Sequence, residues 1–105
     1  LKVAEARAEE LLCEHLNFEQ RAQYQRSKFF VVKGSSSGKQ YKVHCDRGIS
    51  GNVHELDEKG NTRRRLCAHI GYGFRVPHGD QFLAQKLSLE RDEETFLRVA
   101  NDHGR

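Results

Sequence analysis

The sequence lacks the features that mark disordered, disulfide-rich and membrane-spanning proteins. It contains one proline and no biased tract in 105 residues, which argues against an intrinsically disordered chain. Its three cysteines are odd in number and widely spaced, so we expect reduced thiols rather than a disulfide framework. No apolar run approaches the ~20 residues of a membrane span, and no signal-peptide hydrophobic region opens the chain. These absences predict a soluble, cytoplasmic protein without membrane contact.

Size and charge narrow the prediction further. A chain of 105 residues that is 36% hydrophobic can bury one modest core, which predicts a single domain over 1–105. The net charge is +3, but residues 28–75 hold ten Lys or Arg against four Asp or Glu. Both ends are acidic. The basic middle suits nucleic acid, an acidic protein partner, or self-association through the oppositely charged ends.

The N-terminal part has a helical pattern with one break. Apolar residues recur at helical spacing from Ala4 to Leu16. Asn17 followed by Gln20 resembles a capping box. We therefore predict a helix that breaks near Asn17 and a second short helix that runs to about Gln25.

The C-terminal part carries the signals of two more helices. Asp80 and Asp92 are candidate N-caps, and Gly104 would end the last helix. Before them, residues 71–77 contain two glycines, two aromatics and a proline and are predicted to form a loop.

The middle of the chain has strand patterns. Residues 28–33 and 39–45 flank a serine-rich turn over 34–38 and predict a β-hairpin, with Cys45 facing the core. Residues 52–57 and 62–70 predict two further strands. The whole order, helices then strands then helices, predicts an α+β fold with an antiparallel meander of three or four strands and the helices at one face or end.

The last predicted strand, Thr62-Arg-Arg-Arg-Leu-Cys-Ala-His-Ile70, concentrates the chemistry. Alternation along it places Leu66 and Ala68 toward the core. The same alternation puts the charged and metal-binding side chains on the opposite face, namely Arg63, Arg65, Cys67 and His69.

Several short motifs are spread over the chain: Gly38-x-x-Tyr41, Gly51-Asn52-Val53, Leu66-Cys67-Ala68-His69 and Leu83-Ala84-Gln85-Lys86-Leu87. In this pattern the chain resembles a group of small uncharacterised single-domain proteins of bacteria and their phages. The resemblance implies an intact domain and a phage-related accessory role, and it implies no activity.

A second pattern concerns zinc. Cys67-Ala68-His69-Ile70 ahead of a helix is similar to the second half of the SWIM zinc module, a C-x-H pair. The first half of that module is a C-x-C pair, whereas here His44 precedes a single Cys45. The resemblance implies a structural zinc, and the candidate ligands are Cys45 or His44, Cys67, His69, and one of His54 or His78. If zinc is not bound, no cofactor is expected.

Two catalytic patterns fail simple tests. The turn Gly34-Ser-Ser-Ser-Gly38-Lys39 has only three residues between its glycines, and a strand follows it, so it is not a phosphate loop. Cys67 and His69 would lie ~6.5 Å apart along a strand, and no orienting carboxylate is nearby. We therefore expect no enzymatic activity.

The basic middle remains the main functional signal. Its cations alternate with aromatic residues, a combination that can track a phosphate backbone and stack bases. The sequence thus predicts a non-enzymatic binding module for nucleic acid. A protein-interaction, structural or accessory role and a SWIM-like zinc module are its alternatives. The predicted nucleic-acid contacts are Lys39, Lys42, Arg47, Arg63, Arg65, Tyr72 and Arg75.

Overall fold

The computed structural model describes residues 2–46, 51–67 and 77–102. Their order confirms the predicted α+β class, with helices first, then an antiparallel meander, then two helices. The elements are α1 (Lys2–His15), α2 (Phe18–Ser27), β1 (Phe29–Lys33), β2 (Gln40–His44), β3 (Val53–Leu56), β4 (Thr62–Cys67), α3 (His78–Arg91), α4 (Glu93–Val99) and β5 (Asn101–Asp102).

The break between α1 and α2 lies at Asn17, as the sequence predicts. The Asn17 side chain accepts a hydrogen bond from Gln20 N at 2.8 Å, and the Gln20 side chain accepts one from Asn17 N at 3.0 Å. These two bonds complete a capping box. The buried Gln20 amide also donates to the Val31 carbonyl at 2.9 Å, so this residue ties the start of α2 to β1.

The strands form one sheet in the order β1-β2-β3-β4-β5, and every neighbouring pair is antiparallel. The predicted hairpin over 28–45 is present as β1 and β2. Gly38 has a φ of 75°, which a residue with a side chain rarely adopts. The two-residue strand β5 pairs with β4 and was not predicted.

The register between β3 and β4 contains an irregularity. Glu55 pairs with Arg64, whereas the next residue of β3 pairs with Thr62. Arg63 is therefore the extra residue of a β-bulge, and its Nε lies 3.9 Å from the Glu55 carboxylate. Strict alternation put Arg63 on one face with Arg65. That prediction does not hold, because the bulge turns Arg63 toward Glu55.

One face of the sheet carries the core. Phe30, Val43, Val53 and Leu66 are each at most 2% exposed, and α3 packs on the β1–β2 side and against α1. Leu66 lies on the core face as predicted. Cys45, two residues beyond Val43, is also buried, in agreement with the sequence pattern. Burial of these apolar side chains is the main stabilising contribution to such a fold.

The two C-terminal helices begin differently. Asp92 caps α4, since its side chain accepts a hydrogen bond from the third helical backbone N–H at 3.2 Å. Asp80 does not cap α3, which already begins at His78 after Pro77. The His78 N–H donates instead to the Glu5 carboxylate of α1 at 3.2 Å. A distant side chain therefore replaces the predicted local cap.

The predicted helix end at Gly104 is wrong, because α4 ends at Val99 and Ala100 is already extended ahead of β5. The predicted loop over residues 71–76 lies outside the described residues. Within the described ranges, no helix combines the length and apolar character needed to cross a membrane.

Candidate nucleic-acid interface

Side chains from four strands form a row on the sheet face opposite the core. Val31, Lys42, His54 and Arg65 are paired in register across β1 to β4. Each is next in sequence to a core residue, so alternation puts it on the other face. His54 therefore lies between Lys42 and Arg65. We call this surface the outer face and define it by Phe29, Val31, Lys42, His44, His54 and Arg65.

Three rings are contiguous on the outer face. The Phe29 and His44 ring centroids are 5.9 Å apart, and those of His44 and His54 are 4.4 Å apart, each pair being tilted by about 50°. The Lys42 ammonium lies 4.5 Å from the Phe29 ring centroid, which is a cation–π distance. The rings are half-buried, so part of each ring is accessible to solvent.

The two imidazoles are held neutral near pH 7. Partial burial lowers the pKa of His44 below 6.5, and the positive charge of Lys42 adds to the effect. Burial likewise lowers the pKa of His54, helped by His44, Arg65 and Lys42. We call the Phe29, His44 and His54 rings the ring strip. At neutral pH this strip consequently presents uncharged rings between the cations Lys42 and Arg65.

Two other predicted nucleic-acid contacts lie elsewhere. Lys39 Nζ and Arg63 Nε lie 3.6 and 3.9 Å from Glu55 Oε2, and Arg64 binds Oε1 of the same carboxylate at 2.6 Å. We call Lys39, Glu55, Arg63 and Arg64 the Glu55 cluster. The cations expected on one basic surface are therefore divided between the outer face and this cluster.

The serine-rich turn 34–38 binds an internal carboxylate. Ser36 N and Ser37 N donate to Glu93 Oε1 at 2.9 and 2.8 Å, and Ser37 Oγ donates to Oε2 at 2.6 Å. The Tyr41 hydroxyl donates to Oε2 as well. These donors have an internal acceptor, which agrees with a hairpin turn rather than a phosphate loop. Tyr41 is fully buried, so it cannot stack bases.

The zinc prediction finds no support in the described part of the chain. Cys45 lies on the core side, whereas Cys67 follows the core residue Leu66 and lies on the opposite side of the sheet. Among the described residues no group of three His, Cys, Asp or Glu side chains could hold a metal ion. His78 binds Glu5 at the start of α3. Cys45 and Cys67 are therefore not brought together.

Four predicted site residues lie outside the described residues. They are the nucleic-acid contacts Arg47, Tyr72 and Arg75 and the zinc ligand His69.

The ring strip was not predicted as a unit. Alternation in β2 does place Lys42 and His44 on one face, and that signal is readable in the sequence. The neighbours Phe29 and His54 depend on strand register, which local pattern does not specify. Comparisons with protein-family models, with curated proteins and with solved structures gave no match, so the resemblances stated above stay predictions.

Proposed function

We propose that this chain is a non-enzymatic binding module that binds single-stranded nucleic acid on the outer face of its sheet. The observation that carries the proposal is the contiguous strip of Phe29, His44 and His54 rings, with Lys42 and Arg65 beside it. Rings and cations on one sheet face are the two components that such binding requires.

Each component has a defined physical role. Stacking of a base on an aromatic ring contributes about 1–3 kcal/mol and tolerates any sequence. Lys42 and Arg65 neutralise phosphates on either side of the strip and orient the strand. Bases in a duplex already stack on each other, so the rings of the outer face favour unpaired strands.

The charge distribution supports a modest affinity. The net charge is only +3, and two cations flank the strip. Each neutralised phosphate of a single strand contributes about −0.7 to the slope of log K against log salt. We therefore expect micromolar binding at low salt with a shallow salt slope.

The test is fluorescence anisotropy with labelled single- and double-stranded DNA and RNA, between about 50 and 200 mM salt, where phosphate contacts weaken measurably. Lys42→Gln/Arg65→Gln should weaken binding to every sequence and flatten the salt slope. Phe29→Ala should weaken binding about tenfold with the slope unchanged.

The matched control changes two exposed cations on α1, Lys2→Gln/Arg7→Gln. It removes the same charge and should leave most of the binding in place. If the control weakened binding as much as Lys42→Gln/Arg65→Gln, the interaction would be a general charge effect and the proposed site would be wrong.

A protein partner is the second candidate, and Phe18 favours it. This side chain is 88% exposed at the start of α2, and Leu11 of α1 is 42% exposed. Aromatic side chains are enriched in protein interfaces. Self-association through Phe18 predicts concentration-dependent sedimentation that Phe18→Ser abolishes. A monomer at all concentrations would reject self-association and leave docking of a different protein as the remaining form of this candidate.

A further inference from the structure

A second surface of the protein has the features of an anion site, and it is independent of the outer face. The turn between β3 and β4 borders a cavity of about 500 Å³, a volume that suits a small organic ligand. Three cations line it, Lys39, Lys59 and Arg63. Leu56 adds an apolar wall, and Asn61 adds a polar one.

A buried carboxylate next to the cavity organises the cations. Glu55 is 2% exposed, and Arg64 donates to its Oε1 through Nε at 3.2 Å and through a terminal nitrogen at 2.6 Å. Arg64 thus compensates the charge of Glu55. Lys39 and Arg63 are attracted to the same carboxylate, but their distances to Oε2, 3.6 and 3.9 Å, are longer than hydrogen bonds.

Lys39 and Arg63 therefore retain N–H donors that can bind a ligand. Their side chains are 45% and 57% exposed, and both line the cavity. The β-bulge is the feature that turns Arg63 to this side instead of the outer face. Bulges commonly re-aim a side chain in this way next to a site.

Two carboxylates also line the cavity, and neither neutralises this pair directly. Asp57 Oδ1 accepts hydrogen bonds from Lys59 N and Asn61 N at 2.8 and 2.9 Å, so it serves the turn. Glu58 lies at the exposed tip of the turn. The lining is consequently mixed in charge, with three cations against two carboxylates.

We propose that this cavity binds a phosphate group through Lys39 and Arg63. The Arg63 guanidinium can donate two parallel hydrogen bonds, and the Lys39 ammonium adds a point charge from the residue that precedes β2. A tetrahedral phosphate has enough acceptor oxygens to engage both, and Leu56 contacts the carbon part of its carrier. The group comes from a small phosphomonoester or from the phosphates of a nucleic acid.

The experiment follows the backbone amide NMR signals while phenyl phosphate is added to the full chain. Saturable shifts confined to the amides around Lys39, Asn61 and Arg63, with a millimolar or tighter Kd, are expected. Lys39→Gln/Arg63→Gln should weaken this binding at least about tenfold, whereas Lys42→Gln/Arg65→Gln should leave it intact. Phenol, which has the same ring without phosphate, should cause no such shifts.

A further titration identifies the source of the phosphate. If an oligonucleotide shifts the same amide signals at a lower concentration of phosphate groups than phenyl phosphate requires, the group belongs to a nucleic acid. If it leaves them in place, a phosphomonoester is the ligand. Absence of localised shifts with phenyl phosphate and with the oligonucleotide overturns the proposal, as do shifts that the Lys39→Gln/Arg63→Gln variant retains. Either result leaves the outer-face proposal untouched, because Lys42 and Arg65 are not involved.

Discussion

The carboxylate of Glu93 fills the space that a side chain at residue 34 would occupy. A methyl group added to Gly34 would overlap the carboxyl carbon and both oxygens of Glu93. Glu93 is 1% exposed, and its oxygens accept hydrogen bonds from the serine-rich turn and from Tyr41. The turn, strand β2 and the first residue of α4 therefore form one packing unit.

Gly34→Ala should destabilise the protein by about 3 kcal/mol, because the methyl group displaces a buried carboxylate from its donors. Urea denaturation measures the effect. Gly60→Ala is the matched control: Gly60 has a φ of +87° and no atom within 4 Å of an added Cβ. It should cost only the backbone strain of about 1–2 kcal/mol. Equal losses in the two variants would contradict the close contact.

Glu93→Gln should cost about 2 kcal/mol at neutral pH, since the hydrogen bonds lose their charge. Burial alone would raise the pKa of Glu93, but the bonds from Ser37, Tyr41 and Ser36 outweigh it and lower the pKa below 4.5. The stabilising contribution is therefore present above 4.5 and is lost as the pH falls through the folded pKa.

Denaturation at a series of pH values tests this coupling. The parent protein should lose stability below about pH 4.5, and Glu93→Gln should lose less over the same interval. Parallel pH profiles for the two proteins would mean that the carboxylate is not charged in the folded state.

The histidine pair should make stability depend on pH in a second interval. The pKa values of His44 and His54 are lowered below 6.5 in the folded protein, so the unfolded chain binds protons first. Stability is then complete above pH 6.5 and falls as the pH drops toward the folded pKa values. His44→Gln/His54→Gln should flatten this decline, whereas His15→Gln, at an exposed position on α1, should not. An unchanged decline in the double variant would reject the assignment.

Gly79→Ala should separate α1 from α3. A Cβ at Gly79 would lie 2.5 Å from the carbonyl carbon and oxygen of Ala8, and backbone atoms cannot move aside without shifting the helix. We expect a loss of about 3 kcal/mol. Hydrogen exchange should accelerate in α1 more than in β2, because the loss is local to the helix contact. Uniform acceleration, or none, would argue against this crossing.

The local patterns of the sequence determined the elements and their order. The Asn17–Gln20 capping box needs only residues three apart, so it was readable before any fold was known. The hairpin over 28–45 and the core-facing positions of Cys45 and Leu66 follow from alternation within single strands. Asp92 as a helix cap is equally local. For these features the physical cause lies within a few residues of the chain.

The tertiary structure alone decided which side chains meet. The bulge at Arg63 divides the cations between two surfaces, and it depends on how β4 pairs with β3. The Glu5 carboxylate replaced Asp80 at the start of α3 because α1 packs there. Glu93 and Gly34 meet only when α4 docks beside the hairpin. Such contacts between distant segments depend on register and docking, and a local periodicity carries no information about either.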